Sequence, residues 1–173
     1  MVEYHDTEWG VPVHDDAELF ERLALEGFQA GLSWATILRK RPAFRTAFSD
    51  FDPCIVAAFG DDDRARLLAD AGIVRNRAKI DATIANAARL IATAEEFGSF
   101  AAYLESVVPP PPRRQPRSAT SADVPATTAA SDALSRDLRG RGFGFVGSTI
   151  VYAFMQSVGL VDDHLPGCFR YVA

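Results

Sequence analysis

The chain has 173 residues, a net charge of −5 and an apolar fraction of 48%, which suits one domain with an ordinary hydrophobic core. It contains no apolar run near the ~18 residues that span a bilayer, and two cysteines are too few for a disulfide framework. These totals exclude a membrane span and a disulfide-stapled scaffold. We therefore expect a soluble, monomeric protein of the cytoplasm.

Cap and turn residues divide the chain into short helices, and alternating strand patterns are nearly absent. We therefore predict an all-α fold of about eight helices, forming a single domain over residues 1–173. Asp15 and Glu18 indicate a helix start, and this helix should continue to about Phe28.

The next three helix predictions rest on proline and aspartate signals. A helix over residues 33–41 should stop at Pro42, because proline cannot donate a backbone hydrogen bond. Asp52 followed by proline indicates a third start. Asp61 opens a fourth helix, which should end at Gly72.

The second half of the chain is helical on both sides of an irregular stretch. Asn76 opens a long alanine-rich helix that reaches about Phe97 and is closed by Gly98. Residues 108–130 hold four consecutive prolines and many small polar residues, typical of an irregular excursion such as a lid or a partly mobile loop. Further helices are predicted at residues 131–141 and 147–158.

The most informative residue is an acid within an apolar stripe. At about 100° per residue, Glu26 falls on the same helix face as Leu19, Leu23 and Ala30. Burying a carboxylate is costly unless it is paired or hydrogen-bonded. Two glycines, a glutamine and a tryptophan follow it, which suits a wall around a ligand. Alternatively, the helix frays near Gly27 and Glu26 reaches water.

Aromatic residues add a second indication of a ligand pocket. Four of them could line a cavity with Glu26: Tyr4, Trp9, Trp34 and Tyr152. Flat aromatic faces can sandwich a purine, while a buried carboxylate accepts hydrogen bonds from its N–H groups and favours a cationic ring. Taken singly, each of these residues is more typical of a hydrophobic core.

Residues 61–80 are predicted to form two helices joined by a tight turn at Gly72, similar to a helix-hairpin-helix that clamps the DNA backbone. Three cations follow that turn: Arg75, Arg77 and Lys79. Val74 stands where the usual hairpin has a second glycine. An ordinary turn with a solvated basic edge is the alternative. Two further basic clusters lie at residues 39–41 and at Arg139 and Arg141.

Three soft donors lie near the two ends of the chain: His5, His164 and Cys168. The spacing of the last two lets both reach one metal ion. With an open fourth position, such a site would suit a hydrolytic zinc, with Glu8 or Asp163 as the general base. This zinc-dependent hydrolase is one rival hypothesis.

Five blocks strongly resemble the 3-methyladenine DNA glycosylase I family. They are YHDTEWGVP at residues 4–12, LEGFQAGLSW at 25–34, AGIVRNR at 71–77, GFGFVGST at 142–149 and FMQSVGLVDDH at 154–164. They follow the family order and span nearly the whole chain. The resemblance implies the helix-hairpin-helix glycosylase fold and hydrolytic release of 3-methyladenine from alkylated double-stranded DNA.

The resemblance also implies roles for individual residues. Glu26 matches the carboxylate that recognises the base, Tyr4 a pocket tyrosine and Trp34 the tryptophan that stacks on the flipped base. Trp9 lies in a matching block and is predicted to contact the base. The loop that probes the gap in the duplex matches Gln29, Gly31 and Leu32.

The family carries a structural zinc, and His5, His164 and Cys168 match three of its four ligands. The fourth is a cysteine that would precede residue 1. We therefore expect either a longer natural start or a zinc held by three protein ligands and water. Only Lys40 and Lys79 could supply an amine for lyase chemistry, and both have surface explanations, so a monofunctional glycosylase is predicted. A noncatalytic module that binds alkylated DNA is the remaining alternative.

Overall fold

The structure is a computed structural model that describes residues 1–108 and 119–171, and this part contains nine α-helices, two 3-10 turns and no strand. The helices are α1 Val2–Thr7, α2 Asp16–Gln29, α3 Trp34–Ala47, α4 Pro53–Ala57, α5 Asp61–Ala69, α6 Arg77–Phe97, α7 Phe100–Val107, α8 Ala129–Gly140 and α9 Ser148–Ser157. The all-α prediction is confirmed. In the described ranges, no helix has the length and apolarity needed to cross a membrane.

Side-chain caps explain several helix starts that were predicted. Asp15 accepts a hydrogen bond from the backbone N–H of Glu18 at 2.9 Å, and α2 begins at the next residue. Asn76 accepts from the N–H of Lys79 at 3.1 Å and opens α6. Gly98 ends that helix with a φ of +93°, which glycine adopts without a side-chain clash.

The predicted stop at Pro42 is wrong. Helix α3 continues to Ala47 and carries Pro42 in its interior, although proline removes one intrahelical hydrogen bond. Ile37 before the proline and Phe44 after it are both fully buried. Tertiary packing on both sides therefore outweighs the lost bond. Helix α7, which lies just after Gly98, was not predicted.

The predicted excursion over residues 108–130 falls partly on residues 109–118, which lie outside the described residues. After them the chain makes a 3-10 turn at Ser121–Asp123, and α8 begins at Ala129.

Helix α2 forms the centre of the molecule. It packs against α3, α6, α7 and α9, and every residue from Leu19 to Phe28 is buried. Phe28 contacts Phe44 with ring centroids 4.6 Å apart, within a larger cluster of phenylalanines. Because so many elements surround α2, the side chains along its C-terminal half are held in fixed positions.

Candidate functional site

Glu26 is a buried acid without a hydrogen-bond partner among the described residues. Helix α2 remains regular through Gln29, so the alternative of a helix frayed at Gly27 is wrong. Only 5% of Glu26 is exposed. Burial raises the pKa of its carboxyl to about 8, against the opposing effect of the positive charge of Arg22. An unpaired acid with so perturbed a pKa is typical of a functional site.

The Glu26 carboxyl lines a cavity of about 270 Å³ at the junction of α1, α2, α3 and α9. The lining residues are Met1, Tyr4, His5, Trp9, Glu26, Gln29, Trp34, Ala153 and Gln156. The structure thus brings together five of the residues predicted to contact the base or the DNA. We call this cavity the base pocket.

Two aromatic side chains form a wall of the base pocket. The rings of Tyr4 and Trp34 lie 5.4 Å apart between centroids, at an interplanar angle of 55°. Burial raises the pKa of the Tyr4 phenol to about 12, so its hydroxyl stays protonated at neutral pH. That buried hydroxyl has no hydrogen-bond partner within the described ranges and remains available as a donor.

Tyr152, predicted as a pocket residue, lies behind the cavity instead of lining it. Its hydroxyl donates to Oδ2 of buried Asp163, and the same oxygen accepts from Nε2 of Gln156 at 2.7 Å. Gln156 and Ala153, three residues apart on α9, line the pocket. Neither was predicted to line the pocket, although their spacing places them on one helix face.

The three predicted metal ligands also meet, with their ligand atoms within 4.8 Å of one another. Sγ of Cys168 lies 3.6 Å from Nε2 of His5. In both histidines Nδ1 contacts an aspartate at 2.8 Å, Asp6 for His5 and Asp162 for His164. Nε2 of each ring is thereby oriented toward the cluster, and that of His164 is buried with no partner in the described structure.

The three predicted metal ligands lie beside the base pocket. The ring of Trp9 lies 4.8 Å from that of His164 and 5.8 Å from that of His5. Gly10 follows with a φ of +74°, and a Cβ there would lie 2.5 Å from Cε1 of His164. This position requires glycine for two reasons, the backbone conformation and the close approach of the ring.

A tight turn projects from the end of α2 beside the pocket. Gly31 has a φ of +84°, and the N–H of Leu32 donates to the carbonyl of Gln29 at 2.6 Å. The Leu32 side chain is 43% exposed, unusual for a large apolar residue next to a cavity. The structure therefore places the predicted probing loop at the rim of the base pocket.

The prediction that Lys79 contacts DNA is not supported by its position. Its side chain is buried, and Nζ donates to the carbonyls of Phe28 at 2.9 Å and Ala30 at 2.6 Å. These are among the last carbonyls of α2, which lack partners within the helix. Lys79 thus anchors the probing loop from the side of α6.

A turn joins α5 to α6, as predicted, but α5 ends at Ala69 and not at Gly72, and the amide of Gly72 is not free. The N–H of Gly72 donates to Oδ1 of Asp70 at 2.7 Å, and Lys40 donates to the carbonyls of Ala71 and Gly72. Arg75 and Arg77 are exposed and contact no acid in the described part of the chain. Any contact of this turn with a phosphate therefore depends on its arginines.

The other basic clusters divide into structural and exposed members. Arg41 is buried and bound to acids, and Arg141 bonds to Glu96 and Asp137. Arg39 and Arg139 are exposed. Arg139 lies near the turn 141–147, which joins α8 to α9 and packs on the back of α2.

Three features of the pocket suit a single flipped nucleobase. Flat aromatic side chains line it, an unpaired acid lies inside it, and an exposed apolar side chain lies at its rim. The sequence model of the methyladenine glycosylase family matches residues 1–171. DNA-3-methyladenine glycosylase 1 of Escherichia coli K12 is 48% identical over 170 residues, covering 98% of this chain and 90% of the relative. The chain belongs to the methyladenine glycosylase family.

Solved structures agree with this assignment. A crystal structure of 3-methyladenine DNA glycosylase I matches with a TM-score of 0.91 at 47% identity, over 99% of this chain and 93% of the other. The Staphylococcus aureus enzyme, solved to explain its recognition of 3-methyladenine, also matches with a TM-score of 0.91. Its identity is 36%, over 99% of this chain and 91% of the other.

Proposed function

We propose that this chain is a DNA repair glycosylase that flips 3-methyladenine out of alkylated double-stranded DNA and hydrolyses its N-glycosidic bond. The observation that carries this function is the unpaired, buried carboxyl of Glu26 between the aromatic side chains of the base pocket. Relatives of high identity are named for this activity. The enzyme acts as a monomer.

The chemistry of the substrate explains the need for an acid. Methylation at N3 gives the base of the nucleotide a positive charge, which makes it a good leaving group. Because burial raises the pKa of Glu26 to about 8, its carboxyl is mostly protonated at neutral pH. A cationic base nearby favours the ionised carboxylate, which accepts hydrogen bonds from the base and balances its charge. Recognition and catalysis therefore use the same group.

Base flipping depends on the loop at the rim. Leu32 enters the space that the flipped base leaves in the duplex, and Gln29 contacts the base from within the pocket. Gly31 supplies the positive φ that lets the turn stay narrow. Arg75 and Arg77 contact phosphates, and the rigid attachment of the loop to α6 keeps Leu32 aimed at the duplex.

The reaction stops at base release, without strand cleavage. A lyase step requires a free amine as the nucleophile. The two lysines of the chain, Lys40 and Lys79, each donate to two backbone carbonyls. Their positions support a monofunctional glycosylase.

We further propose that His5, His164 and Cys168 hold a structural zinc ion. Their donor types and their mutual distances suit zinc, and the aspartates on both Nδ1 atoms orient the rings. When bound, the ion would cross-link the first and last segments of the described chain. Both candidate bases for a hydrolytic zinc are engaged, Glu8 by two arginines and Asp163 by Tyr152 and Gln156.

One assay separates the candidate functions. Methylated duplex DNA is incubated with the wild type, and released bases are quantified by chromatography; 3-methyladenine should appear without strand breaks. Binding to alkylated or abasic duplex without release would instead support the noncatalytic module. In a chelator titration, a structural zinc predicts that the melting temperature falls together with activity. Loss of activity at an unchanged melting temperature would support the zinc hydrolase.

A further inference from the structure

Gln156 lines the base pocket, but neither the sequence predictions nor the three predicted metal ligands explain its presence there. It lies on α9, one turn after Ala153, and its side chain lines the base pocket together with Glu26. It is half-buried, whereas its partner Asp163 is 8% exposed.

The hydrogen bonds behind Gln156 determine which way its amide faces. Oδ2 of Asp163 accepts from Nε2 of Gln156 at 2.7 Å and also from the Tyr152 hydroxyl. Burial and the hydrogen bond to Asp163 raise the pKa of Tyr152, so the phenol stays protonated and donates. The 2.7 Å contact thus holds the NH₂ end of the Gln156 amide at Asp163 and leaves the carbonyl end on the other side.

The opposite end of the amide is therefore free for a ligand. With Nε2 held by Asp163, Oε1 of Gln156 is the remaining polar atom, and it makes no hydrogen bond to the described residues. A carbonyl oxygen that faces a cavity without a partner can accept a hydrogen bond from an N–H group of a ligand. The base pocket thus holds two acceptors on different helices, Glu26 on α2 and Gln156 on α9.

We propose that Gln156 is a specificity-determining residue, whose amide oxygen accepts a hydrogen bond from the exocyclic amino group of a 6-aminopurine. This inference rests on the proposed function of the base pocket. The amino group of adenine carries two N–H donors, which Glu26 and Gln156 share. A 6-oxopurine presents a carbonyl oxygen at the same place, and two facing acceptors repel each other.

The first test compares two free bases that differ at position 6, 3-methyladenine and 3-methylhypoxanthine. Their Kd values are measured by quenching of tryptophan fluorescence, since Trp9 and Trp34 line the pocket. The wild type should prefer the amino base. Gln156→Met keeps the length of the side chain and removes the acceptor, so the preference should fall about tenfold.

Ala153→Val is the matched control, because Ala153 lines the pocket one turn earlier on α9 but has no hydrogen-bonding side chain. It should leave the ratio of the two Kd values unchanged. If both variants change that ratio equally, or if Gln156→Met weakens both bases by the same factor, Gln156 merely shapes the cavity and the proposal is overturned.

A second variant tests the orientation itself. Asp163→Leu removes the oxygen that accepts from both Tyr152 and Nε2 of Gln156, so the amide can turn either end toward the pocket. The preference for 3-methyladenine should then fall, because a turned amide presents N–H groups that favour the carbonyl oxygen of 3-methylhypoxanthine. A ratio identical to that of the wild type would contradict the proposal, once metal content and melting temperature show an intact fold.

The two proposals can fail separately. A wild type that neither binds nor releases 3-methyladenine refutes the proposed function. A wild type that does both, with a Gln156→Met variant of unchanged base preference, refutes the role of Gln156 alone.

Discussion

Two acids on α2, five residues apart and equally buried, have opposite surroundings. Glu21 is hydrogen-bonded by Arg41 and Arg45. Burial alone would raise its pKa, but these two arginines outweigh that effect and lower the pKa to about 2. Glu26 has no such partners, and burial raises its pKa to about 8.

The comparison shows that one helix carries an acid that stabilises the fold and another acid that faces the pocket. Glu21 belongs to a network with Glu8 and Arg41, which joins α2 to α3 and to the segment after α1. Removing one partner from such a network would leave a buried charge. Glu26 faces a cavity, so its unfavourable burial is relieved when a cationic base binds. We infer that the partner, more than the burial, distinguishes a structural acid from a functional one.

The largest expected effect is on catalysis. Glu26→Gln keeps the shape of the side chain but cannot acquire the negative charge that the cationic base requires. Release of 3-methyladenine from methylated DNA should fall roughly 10³-fold, within the range for removal of a principal catalytic group. Single-turnover base release is the measurement. Release at the wild-type rate would refute the assignment of Glu26.

Glu21→Gln should act on stability instead. It takes one of two acidic partners from the buried guanidinium of Arg41, which keeps Glu8, and should lower the free energy of unfolding by about 2 kcal/mol. Denaturant titration measures the change. At a temperature where the variant is folded, base release should stay within a fewfold of the wild type, whereas a loss as large as that of Glu26→Gln would end the distinction between the two acids.

The two acids should also respond to pH in opposite directions. The folded pKa of Glu26 lies above its ordinary value of 4.5, so the folded protein keeps a proton that the unfolded chain releases, and stability falls as pH rises from about 4.5 to about 8. Glu21, with a folded pKa of about 2, contributes stability that is lost as pH falls from about 4.5 to about 2.

Denaturant titrations of the ligand-free protein at several pH values can separate these contributions. Between pH 5 and pH 8, Glu26→Gln should gain stability relative to the wild type, on the order of 3 kcal/mol. The difference in unfolding free energy between Glu21→Gln and the wild type should instead become smaller below pH 4.5. If the difference in unfolding free energy between Glu26→Gln and the wild type does not change with pH, the Glu26 carboxyl of the wild type is ionised throughout this range.

The smallest expected effect concerns the lysine that anchors the probing loop. Lys79→Met removes the donor to the Phe28 and Ala30 carbonyls, which should loosen the loop and slow base release about tenfold. Lys40→Met is the matched control, because Lys40 also donates to two carbonyls, but these belong to Ala71 and Gly72 and not to the probing loop. If both variants slow base release equally, the attachment of the probing loop by Lys79 has no special effect on the reaction.

Local sequence signals predicted much of the fold and the central residue of the site. Caps such as Asp15 and Asn76 act within one turn of helix, so their effect can be read from neighbouring residues. The acid at Glu26 was also visible, because the 3.6-residue period of a helix assigns it to the buried face. The family blocks then grouped it with Tyr4 and Trp34.

Only the tertiary structure decided how distant residues are used. Pro42 stays within a helix because residues on both of its sides are packed, and Lys79 holds a loop 49 residues before it. The amide of Gln156 is oriented by Asp163, which lies seven residues later in the chain, beyond the end of α9. Caps and periodicity are local properties of the chain, whereas partners for buried charges and amides come from other segments, and their identity is set when those segments pack together.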